Sequence, residues 1–236
     1  MIQDKILTGC APAHAHPRTQ LFVLIACEES QAETNAFRAL GHAAFSCDIQ
    51  QVKPPRKAEW HICGDATPLL RGQTKFTTQD GQLHDIPGWD LIIAHPPCTY
   101  LCRVSSVQLV RHIDGKTFVD EERYLKMQAA IAFFYECLNA CAPFVAVENP
   151  QPMARCQLPP PSFFACPSWY GVKYTKKTLY WVRNLPPLVA AIDFPNPKEF
   201  VRASRGKYRS RTFPELARAI AEQWGSYIIS EINKSK

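Results

Sequence analysis

Long apolar runs are missing from this chain. In 236 residues no stretch approaches the roughly 18 consecutive apolar residues that a membrane-spanning helix needs, which excludes a helical membrane protein. Cys-x-x-Cys pairs are missing too. The ten cysteines come no closer than Cys98/Cys102 and Cys137/Cys141, spacings that suit helix faces better than a zinc knuckle, so no structural metal is expected. The first twenty residues lack the apolar stretch of a secretory leader and mix Pro, His and Gln. They are expected to form a flexible arm, residues 1–20, ahead of a single domain over 21–236. Without a leader, reduced thiols and a cytoplasmic location are the expectation. Acids are scarce in one region. Between Lys173 and Arg218 eleven Lys or Arg meet only Asp193, Glu199 and Glu215, a net of +8 where the whole chain carries +6. Such a surplus either attracts phosphates by counterion release or is a solvated basic surface.

What is present suffices for one substantial core, with 46% hydrophobic and 11% aromatic residues. LFVLIAC (21–27) is a continuous apolar run of strand length, the pattern of a parallel strand covered on both faces. Ser30, with Glu33 three positions on in the capping-box arrangement, predicts a helix to Leu40 ended by Gly41. AAFSCDI (43–49) reads as a second strand, WHICGD (60–65) as a third and WDLIIA (89–94) as a fourth, stopped by His95-Pro96-Pro97-Cys98. A polar loop over 103–119 is expected to act as a mobile lid, and 120–141 has helical spacing. FVAVENP (144–150) is a fifth strand, and the Pro-rich stretch 150–167 reads as a crossing loop. Thr178–Val182 follows as a strand, and Thr212–Ile232 as a helix with Pro214 near its first turn. Strand, helix and strand in this order predict a doubly wound, mostly parallel α/β sheet, whose ligand crevice lies at the carboxyl ends of its strands.

Three of those ends carry polar or reactive groups: Asp48, Cys98 and Glu148. Two prolines fix the backbone at Cys98, so its thiol is a candidate nucleophile. The structural alternatives are a packed, inert cysteine and a turn-capping carboxylate.

As a set, these residues resemble the cytosine-C5 DNA methyltransferase family, and in particular small, phage-type members with similar IACEESQ, AHPPCTYL and AEQWG segments. The resemblance runs from about Leu21 to Gly225. It implies a Rossmann-like sheet of the S-adenosylmethionine-dependent methyltransferase type. It also implies Cys98 as nucleophile, with Glu148 and Asn149 beside the target base. S-adenosyl-L-methionine would be held by Ala26, Cys27, Glu28 and Glu29 after the first strand, by Asp48 and Ile49 after the second, by Asp65 and Ala66 after the third, and by Pro96 after the fourth. The family's basic motif falls on Lys173, Lys176 and Lys177. With Arg205, Arg209 and Arg211 these would contact the phosphates of DNA.

The chain departs from the family twice. The first loop, Ala26 to Ser30, holds no glycine where the family is glycine-rich. Only 29 residues separate Val182 from Thr212, where the family inserts a target-recognition domain. A cytosine nucleotide such as dCMP is therefore an alternative substrate, and a non-catalytic nucleic-acid-binding module is an alternative role. Amino-group methyltransferases share a diproline after the fourth strand, but His95 stands where they place an Asp or Asn acceptor.

Overall fold

The computed structural model describes residues 17–114, 116–191, 201–202 and 212–235. The chain begins with β1 (Phe22–Ala26), α1 (Ala32–Ala39), β2 (Ala43–Asp48), β3 (His61–Cys63) and the short α2 (Thr67–Leu70). A hairpin of β4 (Lys75–Thr77) and β5 (Leu83–Asp85) precedes β6 (Leu91–Ala94). A second hairpin, β7 (Val110–Ile113) and β8 (Lys116–Val119), leads into α3 (Glu121–Leu138) and β9 (Phe144–Asn149). The chain continues through β10 (Phe163–Ala165), β11 (Tyr174–Thr175), β12 (Thr178–Arg183), β13 (Val201–Arg202) and α4 (Pro214–Lys234).

Seven strands form the main sheet in the order β10-β12-β9-β6-β1-β2-β3. The pairings β1–β2, β1–β6, β2–β3 and β6–β9 are parallel, whereas β12 runs antiparallel to both β9 and β10. The fold is thus α/β with a mostly parallel mixed sheet, compatible with a Rossmann-like architecture.

The central strands are apolar throughout because both faces are covered. Leu24, Ile92 and Val145 pack on one side with Leu70 of α2 and Met127 and Phe134 of α3. Val23, Ile93 and Ala146 pack on the other with Phe37 of α1 and Leu216, Ile220 and Trp224 of α4. Trp224 is fully buried and donates its indole N–H to the Pro186 carbonyl at 3.0 Å. Truncating such a side chain typically costs about 3–5 kcal/mol.

Four local expectations are corrected. The helix α1 begins at Ala32 rather than Ser30, after Gln31 at φ 57°. Its end is satisfied not by a Ser30–Glu33 box but by Glu28, whose carboxylate accepts from the Glu33 and Thr34 amides at 2.7 and 3.3 Å and from the Thr34 hydroxyl at 2.6 Å. The 103–119 segment is no loop: it is a 3-10 turn over Arg103–Gln108 followed by the β7–β8 hairpin. The 150–167 stretch contains β10, because Phe163, Phe164 and Ala165 pair with Tyr180, Leu179 and Thr178 of β12, which the proline-rich composition conceals. Residues 17–20 are also tied down. The Arg18 guanidinium donates twice to Asp90 at 2.6 Å, and Asn233 of α4 exchanges hydrogen bonds with the Arg18 backbone.

No described helix is long and apolar enough to cross a membrane. Among the described residues no group of three or more His, Cys, Asp or Glu is placed to hold a metal ion.

Candidate active site

The strand order turns back at β1, which has β2 on one side and β6 on the other. The carboxyl edge at such a turning point is the usual ligand position in open α/β sheets. Both halves of that edge carry the expected residues.

On the β1–β3 half, Cys27 follows the buried Ala26 and takes φ 62°. With Gln31 at φ 57°, the loop reaches left-handed backbone without glycine. Asp48 ends β2 and accepts the Gln50 amide at 2.8 Å on one oxygen. Ile49, beside it, is 80% exposed, an apolar side chain left open at a strand tip. Asp65 follows β3 and accepts from the Thr67 amide and hydroxyl on one oxygen, ahead of the buried Ala66. Burial, then Asp48, then Asp65, push the Cys27 thiol up to about 12, so both carboxylates converge on that loop. Glu28 is turned inward to cap α1; burial and the neighbouring Glu33 raise its carboxyl to about 7. Glu29 pairs with Arg56 at 2.7 Å.

On the other half, Pro96 and Pro97 carry the chain from β6 into a 3-10 turn at Cys98–Tyr100. Asn149, buried at the end of β9, donates from Nδ2 to the Pro96 carbonyl at 3.0 Å and so ties the two strand ends together. Cys98 is half-buried. Burial raises its thiol first, Cys102 and Glu148 add to that, and Lys176 works the other way. The thiol therefore sits within reach of both the Glu148 and the Lys176 charge. It is protonated at neutral pH, and its nucleophilic form requires loss of that proton.

Glu148 is the electrostatic centre. Burial would raise its carboxyl, but Lys176 and His95 outweigh that and hold it at about 2. The His95 ring approaches Glu148 Oε2 with Nδ1 at 3.2 Å and Glu33 Oε2 with Nε2 at 2.9 Å. Lys176 Nζ lies 3.8 Å from Glu148 Oε1, an oxygen that is buried with no hydrogen-bond partner.

The three lysines expected to meet phosphate separate. Lys176 is directed at Glu148, Lys177 stacks its Nζ over the Phe164 ring at 4.5 Å, and Lys173 is exposed. Ahead of the reversed strand β12, Lys176 is brought back to the carboxyl edge, where its partner among the described residues is a carboxylate of the chain itself. Arg205, Arg209 and Arg211 lie outside the described residues. Sequence reasoning assigned Glu33 to a helix cap and missed its pairing with His95. Its signal was an acid four positions before Phe37, on the helix face that packs inward.

Beside this half, a cavity of about 770 Å³ opens between the 103–110 segment and the 151–161 loop. Arg103, Arg155, Gln151 and Gln157 line it together with apolar residues and prolines, and among the described residues no carboxylate does. It adjoins the Cys98–Glu148 pair through the Cys102–Pro152 bridge and does not enclose it.

No protein-family model matches the chain, and no curated protein matches it either.

Proposed function

We propose that the chain is an S-adenosylmethionine-dependent methyltransferase that modifies C5 of cytosine in DNA. The observation that supports this most is that the Cys98 thiol and the Glu148 carboxylate, 50 residues apart, share one microenvironment at the carboxyl edge of adjacent strands. Across the switch point, Asp48 and Asp65 present acceptors suited to ribose hydroxyls and an adenine amino group, and the exposed Ile49 suits a flat apolar ring. The left-handed Cys27 supplies the turn that glycine usually gives, so these residues fit the cofactor. Bound S-adenosylmethionine supplies an electrophilic methyl on a sulfonium centre.

The chain's own groups account for the rest. Cys98, once deprotonated, forms an S–C6 bond with cytosine, and the displaced π electrons make C5 nucleophilic. After C5 has gained the methyl, the C5 proton passes to solvent water, its electron pair restores the C5–C6 double bond, and the S–C6 bond breaks to return the thiolate. Glu148, ionised down to a pH of about 2, acts as a hydrogen-bond acceptor for the exocyclic 4-amino N–H of cytosine rather than as a proton donor. The acid-free cavity with Arg103 and Arg155 suits a phosphodiester flanking a flipped base.

The test is transfer of labelled methyl to duplex DNA, single strands and dCMP. Cys98→Ser is expected to lose about 10³-fold or more of the transfer while still binding S-adenosylhomocysteine in calorimetry. Transfer equal to wild type overturns the covalent mechanism. The 29 residues between Val182 and Thr212 favour a second reading, a free cytosine nucleotide as substrate, and labelling of dCMP with none of DNA selects it.

A further inference from the structure

We infer that His95, braced by Glu33, is a positioning residue that fixes the Glu148 carboxylate in the site. This rests on the reading of Glu148 as the base-contacting group. The geometry is a chain of alternating charge running from the helix face to the crevice: Glu33 on α1, His95 after β6, Glu148 on β9 and Lys176 before β12.

Each link has a physical reason. Glu33 is 0% exposed, and the only side-chain hydrogen bond described for its carboxylate is the one from His95; its other oxygen is buried without a partner. A carboxylate so placed costs several kcal/mol unless a cation meets it. A core that needed only shape there would take Gln or Leu. The imidazole meets carboxylates with both nitrogens, which only the doubly protonated ring can serve as donor on both sides. Burial works against that proton, but Glu33 and Glu148 overcome it and hold the ring protonated well above its ordinary range.

The outcome is a division of labour between the two oxygens of Glu148. Oε2 is tied to His95, which sets the rotation of the carboxylate. Oε1 is buried, makes no hydrogen bond among the described residues and has Lys176 beside it at 3.8 Å, so it is the oxygen with acceptor capacity left over, which the 4-amino N–H of a cytosine can claim once Lys176 moves aside. The groups facing His95 and its two partners are Glu28, Glu33, Glu148, Lys176, Tyr180 and the Cys98 thiol, and Tyr180 is neutral because burial pushes its hydroxyl up.

The experiment follows the Glu148 carboxyl and the His95 ring by carbon NMR in wild type, His95→Gln and Glu33→Gln. In wild type the ring titrates well above 6.5 and the carboxyl near 2; in His95→Gln the carboxyl midpoint moves toward the ordinary 4.5. Glu33→Gln should lower the His95 midpoint and shift the carboxyl in the same direction by less. If the carboxyl keeps its wild-type midpoint in His95→Gln, His95 is packing and the inference falls. Should wild type transfer no methyl to any substrate, the proposed function fails by itself. The NMR then decides the brace: a ring near 6.5, or a carboxyl midpoint indifferent to His95→Gln, overturns it, and the displaced values support it.

Discussion

Burial raises both Cys27 and Cys98, but the charges that add to it differ. At Cys27 they are two carboxylates, Asp48 and Asp65, both pushing the thiol further up. At Cys98, Cys102 and Glu148 push up while Lys176 pulls down. The charges that act on Cys27 are therefore of one sign, whereas those that act on Cys98 are opposed. A thiol between two carboxylates is chemically silent at neutral pH, and its surroundings are suited to hydroxyls, amino groups or a cation. A thiol beside an ammonium can be brought into its reactive form by a small rearrangement. The contrast teaches that the position of a cysteine at a strand tip does not decide its chemistry; the sign of its neighbours does.

The largest effect that would sharpen this contrast is acid stability. Glu148 has a folded value of about 2 against an ordinary 4.5, so its share of the stability is fully present above about pH 5 and is lost as pH falls toward 2. The shift corresponds to about 3 kcal/mol, of which about 2 kcal/mol is gone at pH 3. Urea denaturation at pH 5 and pH 3 should show that loss in wild type, over and above what Glu148→Gln shows. Equal slopes in the two proteins would mean that Glu148 carries no such charge coupling.

Next comes cofactor affinity. Asp48→Asn should weaken S-adenosylhomocysteine binding by about 10- to 100-fold, the range for losing a hydrogen bond to a charged group. Glu148→Gln should leave it within about 3-fold, well below that range. Calorimetry reads both, and a reversal of the two effects would exchange the roles assigned to the halves.

Much of this arrangement was legible in the sequence. The runs at 21–27, 89–94 and 144–150 read as strands because each holds at least four consecutive apolar residues, and they contain β1, β6 and β9. Asp48, Cys98 and Glu148 could be assigned to one edge because parallel strands present their carboxyl ends together. The sequence signal weakened where structure is set by partners distant in the chain. β10 is short and lies among prolines, and it exists because β12 offers it a free edge. Gln31 and Cys27 take left-handed backbone with no glycine to announce it. Lys176 read as a phosphate contact because its reversal onto Glu148 depends on β12 running against its neighbours, a direction that periodicity does not reveal. Glu33 was hidden for the same reason, since its partner His95 is 62 residues away.

The smallest effect bears directly on the two thiols. Because burial, Cys102 and Glu148 raise Cys98 above 9.0 while Lys176 lowers it, alkylation by iodoacetamide should be slow at pH 7 and climb through and beyond pH 9. Removing the ammonium in Lys176→Ala should slow the reaction at pH 8 by about 3-fold, since only one of several opposing influences is lost. Cys27, held up at about 12 by burial and two carboxylates, should stay unmodified over the same range and serves as the internal reference. Peptide mass spectrometry distinguishes the two sites. Parallel labelling of Cys27 and Cys98 would dissolve the contrast between the halves, because it would mean that Glu148 and Lys176 leave Cys98 no nearer its thiolate than the acids leave Cys27.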